Sequence, residues 1–249
     1  SPADAIAASV NRVNAIFERD AAIRFLPIVS SSIIFSDSQT DPFASLSTDT
    51  EMINKAQEVI SEKIGVDNFD IGHVLHSSGG GLAVLGAACN ATTKAKGKSV
   101  WKDGSYDVDF VCHEIGHQLG ATHTFNTALS PCVENLFRGT AYEPGSGTTI
   151  MSYGNGVCGT DDLSGNKVDS FHSASILQML DYVKQSGTCA IESDTGNRPP
   201  ILNKPSNWDI PAKTPFSLTA VAAGQVGEVL KYSWEELDLG PAQSLSDAD

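Results

Sequence analysis

Apolar residues recur at helical spacing along the start of the chain. Ile6, Val10, Val13, Ile16 and Phe17 share one face and predict an amphipathic helix from Pro2 to about Asp20. Two denser apolar runs, Ile23 to Val29 and Ile33 to Phe35, read as β-like segments. Ser47, Thr48, Asp49 and Thr50 then offer caps to a helix carrying Met52, Ile53, Ala56, Val59, Ile60 and Ile64, closed by Gly65. Asp70 to Leu75 reads as a strand, and Gly79, Gly80 and Gly81 separate it from a second run at Leu82 to Leu85. Helical spacing returns at about Val108–Leu119 and at Ser173–Gln185, ending near Gly187. Between these two, Asn126 to Asp169 is rich in Gly, Ser, Thr and Asn without periodicity, which predicts irregular structure. Alternating helices and strands predict an α/β layer with a mainly parallel sheet.

The pattern changes after Cys189. Thr195 to Pro200 reads as a linker, and Phe216–Val221 and Leu230–Trp234 as two strands of a β-sandwich. A complete sandwich normally needs ~100 residues. We therefore divide the chain into a main domain at 1–194 and a linker with an incomplete β-sandwich-like module at 195–249.

At 249 residues and 41% hydrophobic, the chain can bury a sizeable core without a disulfide scaffold. A formal charge of −14 argues against nucleic acid and anionic membrane as partners. No apolar run approaches the ~18 residues of a membrane span. The opening Ser1-Pro2 leads us to expect a processed, mature fragment. Five cysteines leave at least one unpaired within the chain. Cys112, beside a helical motif, is the candidate free thiol; Cys89, Cys132, Cys158 and Cys189 can form two disulfides in any of three pairings. No CxxC spacing favours a cysteine metal site, so an oxidising, extracellular setting fits better than cytosol.

The densest chemistry lies in His113-Glu114-Ile115-Gly116-His117-Gln118-Leu119-Gly120-Ala121-Thr122-His123. His113 and His117 stand one helical turn apart, so both imidazoles can reach one Zn²⁺. Gly120 can end the helix on a left-handed residue and turn His123 back as third ligand. Three protein ligands leave the open position of a catalytic zinc, and Glu114 stands where it can act as base on a water there.

Downstream, Thr149-Ile150-Met151-Ser152-Tyr153-Gly154 completes a second motif. The long zinc motif together with this methionine turn resembles the metzincin peptidases, in which Met151 would support the zinc from beneath. Asp70 to Leu75, the glycine-led run Gly81 to Leu85 and Cys89 resemble the adamalysin (reprolysin) pattern. His123-Thr124-Phe125-Asn126 and Glu143-Pro144-Gly145-Ser146-Gly147 are similar to secreted bacterial members. The similarity covers about residues 5–190. It implies a metzincin-type α/β catalytic domain: a twisted mixed sheet with helices, an active-site helix and an irregular lower subdomain.

The same resemblance implies a secreted, monomeric zinc endopeptidase, with Cys89 paired to Cys189 and Cys132 to Cys158. Extended protein or peptide substrates would lie along Gly80, Gly81, Leu82 and Ala83, while Gly154, Asn155, Gly156 and Val157 would line the pocket past the cleaved bond. Glu114 would be the general base, and Tyr153 would assist the oxyanion. Two positions depart from adamalysins: Thr124 stands where they carry aspartate, and Tyr153 is instead a feature of astacins and serralysins. His73, His76 and His172 are assigned no metal. Asp161, Asp162 and Asp169 offer oxygens to Ca²⁺ without EF-hand spacing, so a solvated acidic loop is the plainer reading. The alternative function is a non-catalytic zinc-containing binding or adhesion protein on the same scaffold.

Overall fold

Helix α1, Pro2–Ala21, begins with a reciprocal capping box between Ser1 and Asp4 and stops at Ala22, whose φ of 53° is left-handed. The computed structural model describes residues 1–102, 106–154, 156–163, 165 and 167–247. Helix α2, Asp49–Ile64, starts from a second capping box, Thr48 with Glu51. Its buried Ala56 and Val59 pack on Phe43. Helix α4 spans Ser173–Gln185.

Among the described residues the sheet of the main unit has three strands: β1 (Val74–His76), β2 (Leu82–Ala83) and β3 (Gly97–Val100). Their order is β1-β3-β2, with β1 parallel and β2 antiparallel to β3. Val84 N donating to Lys96 O extends the β2 pairing by one bond. Strand β2 is therefore an edge, its second side unpaired by any strand among the described residues.

The central core joins α1 (Val13, Ile16, Phe17) to Val111, Cys112, Ile115 and Leu119, and to Met151, Phe171 and Met179. Phe17 sits between Phe25 and Phe171 in edge-to-face contacts of 5.0 and 4.9 Å. The predicted helix at 108–119 has two parts. Asp107–Cys112 forms a π-helical turn, and α3, His113–Gln118, continues it.

The runs at 23–29 and 33–35 are not strands. Leu26, Ile28 and Val29 stay largely exposed with no strand among the described residues to pair them, and Ser31–Ile33 closes into a 3₁₀ turn. The strand predicted at 70–75 forms only from Val74, where β3 begins to run alongside.

Residues 1–190 and Glu236–Asp249 make one compact unit, and Ile191–Glu235 make a second. The division differs from a single module at 195–249, because the final segment belongs to the main unit. Gln243 N donates to Asn126 O (3.2 Å), and Ser244 Oγ and Leu245 N both donate to Asp161 Oδ1 (2.8 and 3.0 Å). In the smaller unit β4 (Ile201–Asn203) pairs antiparallel with β5 (Val221–Ala223). The runs at 216–221 and 230–234 contribute only Val221 to a strand, and Phe216 and Trp234 remain exposed.

Candidate active site

Helix α3 presents His113 and His117 from one face, and the chain reverses at Gly120, whose φ is +92°. Leu119 N and Gly120 N close the last turn onto Gly116 O and His117 O, and Ala121 N also returns to Gly116 O. His123 is thereby brought back over the helix. Its Nε2 lies 3.2 Å from His113 Nε2 and 3.1 Å from His117 Nε2.

The proton positions follow from the opposite ring atoms. His113 Nδ1 donates to Ile150 O, His117 Nδ1 to Ala121 O and His123 Nδ1 to Asn135 O, each at 2.7 Å. With Nδ1 protonated, all three Nε2 atoms carry lone pairs and face one another without a donor between them. Burial holds the rings neutral, pulling His117 down to about 4 and His123 to about 3, and His113 well below its ordinary value. Three nitrogens bound tetrahedrally at ~2.0–2.1 Å from Zn²⁺ stand ~3.3 Å apart, so the donor set fits that ion. Among the described residues these histidines form the one group of three or more metal-competent side chains with converging atoms.

Met151 is fully buried beneath the site. A Cβ added at Gly116, between the two helical histidines, would lie 2.6 Å from Met151 Sδ. The glycine is what lets the helix rest on the sulfur. Tyr153 packs its ring 4.7 Å from His123 and 4.6 Å from Phe125. Burial pushes its phenol up to about 12, so it stays a neutral hydroxyl, and the residue lines the cleft.

Glu114 is buried at the foot of the cleft, and no described residue donates a hydrogen bond to its carboxylate. Burial pushes it up to about 8, against the opposing charge of Lys167. A cation held by the histidines would oppose that rise. A Cβ on Gly81 would strike this carboxylate, so the glycine-led entry to β2 passes directly over Glu114.

The cleft is a cavity of about 620 Å³, lined by the three histidines, Glu114 and Tyr153, by Gly81, Leu82 and Ala83, and by Leu136, Phe137 and Val157. Of the residues expected to contact substrate, Gly81, Leu82, Ala83 and Val157 reach it. Gly80 is held in the loop before β2, Gly154 is buried against Gly147 O, Gly156 is exposed, and Asn155 lies outside the described residues.

Two disulfides are present, Cys89–Cys189 and Cys132–Cys158, and Cys112 is free and buried. The second bridge lies against Phe125 and Tyr153, stapling the cleft wall. Two of the three aspartates of the acidic loop have partners within the fold. Asp161 Oδ1 accepts from the final segment, Asp161 Oδ2 from Thr127 Oγ1 (2.5 Å), and Asp162 Oδ1 accepts from Cys158 N (2.9 Å).

Two buried charged residues outside the zinc motif, given no role by the sequence, support the site. Glu143 is buried beside Thr124; its Oε2 accepts from Thr124 Oγ1 and Thr149 Oγ1, both at 2.5 Å, and its Oε1 from Thr148 N (2.8 Å) and Thr149 N (3.0 Å). One carboxylate thus ties the segment after His123 to the start of the methionine turn, and Thr124 N donating to Met151 O (3.2 Å) adds a backbone tie. Thr124 leaves a carboxylate missing beside the third histidine, and Glu143 supplies one from a distance. Lys167, also buried, donates from Nζ to Asp109 O (3.1 Å) and Ile150 O (3.0 Å), joining the π-helical turn to the methionine turn.

The chain matches the family described as Metallo-peptidase family M12B Reprolysin-like over residues 3–183. No curated protein matches it.

Proposed function

The chain belongs to the reprolysin-like metallopeptidases of family M12B, and we propose that within it the protein is a secreted zinc endopeptidase whose general base is Glu114. The observation that carries this reading is the convergence of three proton-free Nε2 atoms beside an unpartnered, buried carboxylate, under an open strand edge.

Zinc, when bound, supplies a Lewis acid that acidifies water and polarises the scissile carbonyl. Glu114 takes a proton from the attacking water and delivers it to the departing amine, so its charge returns to the starting state. Tyr153, held as a neutral phenol, donates a hydrogen bond to the oxygen that gains charge as the carbonyl becomes tetrahedral. An extended substrate adds to the free side of β2 by main-chain hydrogen bonds. Main-chain pairing along this edge needs no chain terminus, which suits cleavage within a chain. The two disulfides support an oxidising, extracellular setting, and among the described residues no helix is long and apolar enough to cross a membrane.

Peptide and casein digestion, with and without a chelator, tests the reading. Glu114→Gln is expected to keep zinc while losing at least ~100-fold in kcat. A zinc-loaded wild type that binds peptides and cleaves none would leave the binding-protein alternative instead.

A further inference from the structure

Lys98 lies in the central strand of the sheet, and its side chain is completely buried. A buried ammonium needs a partner for each proton, and here it has three. Nζ donates to Asp49 Oδ1 (2.7 Å), Ser78 O (2.7 Å) and Gly80 O (3.0 Å). Asp49 opens helix α2; Ser78 and Gly80 belong to the loop between β1 and β2.

The same ion pair fixes both backbone groups of Gly80. Gly80 N donates to Asp49 Oδ2 (3.2 Å), while Gly80 O accepts from Lys98 Nζ and from Val100 N (2.9 Å). The loop wraps tightly enough that a Cβ at Gly79 would lie 2.5 Å from Lys98 Nζ. One residue beyond Gly80, Gly81 passes against the Glu114 carboxylate. Each link in this chain is direct: Lys98 and Asp49 hold Gly80, Gly80 fixes the entry of β2, and that entry sits over the proposed base.

We propose that the Lys98–Asp49 ion pair is a positioning device that sets the height of the β2 edge over Glu114 and thereby aligns extended substrate for cleavage. The proposal rests on the reading that this edge receives the substrate. Neither residue touches the reacting atoms; both act through Gly80 and Gly81. Asp49 is 28% exposed, so the pair is anchored on the buried lysine and approached from solvent through the aspartate.

The test uses fluorogenic peptides with a constant portion after the cleaved bond and one to four residues before it. Wild type is expected to gain in kcat/KM as the peptide lengthens along the strand. Asp49→Asn has one acceptor oxygen where the carboxylate uses two, so it cannot serve both Gly80 N and Lys98 Nζ, and Lys98→Met removes the charge at similar length. Each is expected to reduce the gain from lengthening by about 10-fold, mainly through KM, with bound zinc at the wild-type level. Hydrogen exchange at the Gly80 amide should be faster in both. Should Lys98→Met fail to fold, Asp49→Asn decides alone. Equal losses at every peptide length, or an unchanged length dependence with zinc retained, would overturn the proposal. A wild type that gains nothing from lengthening would instead sink the substrate-strand reading, and this inference with it.

Discussion

Replacing His73 by glutamine should remove an acid sensitivity built into the sheet. His73 Nδ1 lies 2.8 Å from Gln118 Oε1, and Nε2 lies 2.8 Å from Ser99 Oγ. Gln118 Nε2 donates to Gly72 O (2.9 Å), which orients the amide oxygen toward the ring and makes Nδ1 the protonated nitrogen. Though the residue keeps a partly exposed edge, both nitrogens face fully buried partners, and burial pulls the ring down to about 4 from 6.5. Between those values the unfolded chain binds the proton and the folded one does not. Stability is therefore intact above pH 6.5 and falls as the pH drops toward 4. The loss comes to about 2 kcal/mol at pH 5 and about 3 kcal/mol at pH 4, as ceilings given the exposed edge. His73→Gln should cost about 1 kcal/mol at neutral pH for a rearranged buried hydrogen bond. The two stability curves should then converge and cross near pH 5–6. Denaturant unfolding from pH 4.5 to 8, at matched free zinc, reads the difference, and titration of the zinc histidines cancels between the two proteins. Parallel curves across that range would refute the argument.

Glu143→Ala should weaken zinc binding by about 10-fold or more, since the segment that follows His123 loses its tie to the methionine turn; chelator competition that returns wild-type affinity would remove Glu143 from the site's support. Gly116→Ala places a methyl 2.6 Å from Met151 Sδ and should lower stability by about 1–2 kcal/mol despite the better helix former, visible as a fall in Tm. Tyr153→Phe keeps the ring packing and should cost about 10-fold in kcat with little change in KM; unchanged kcat would leave the residue as packing alone.

Local rules made part of the molecule legible. Helix α4 and the start of α2 follow from capping residues and apolar spacing within single segments. The three histidines converge because one helical turn and one left-handed glycine are enough to bring them together. The apolar run from Ile23 to Val29 misleads because strand character depends on a neighbouring strand, which this stretch lacks. Glu143 and Lys98 were beyond reach for a related reason. A buried carboxylate or ammonium looks like any surface charge until distant segments supply its partners: Thr124 and the methionine turn for one, Asp49 and the glycine loop for the other. The final segment's return to Asp161 is likewise set by contacts across the chain.

The three Nδ1 bonds all end on peptide carbonyls, at Ala121, Asn135 and Ile150. The orientation of the metal ligands is thus written in the path of the chain and not in the identity of any acceptor side chain. Asn135 could drift to another residue type without loss of its carbonyl, provided the turn around it persisted. The site should therefore tolerate mutation at its acceptors while remaining sensitive to whatever bends the backbone. Related chains could keep the same chemistry with little shared sequence around it.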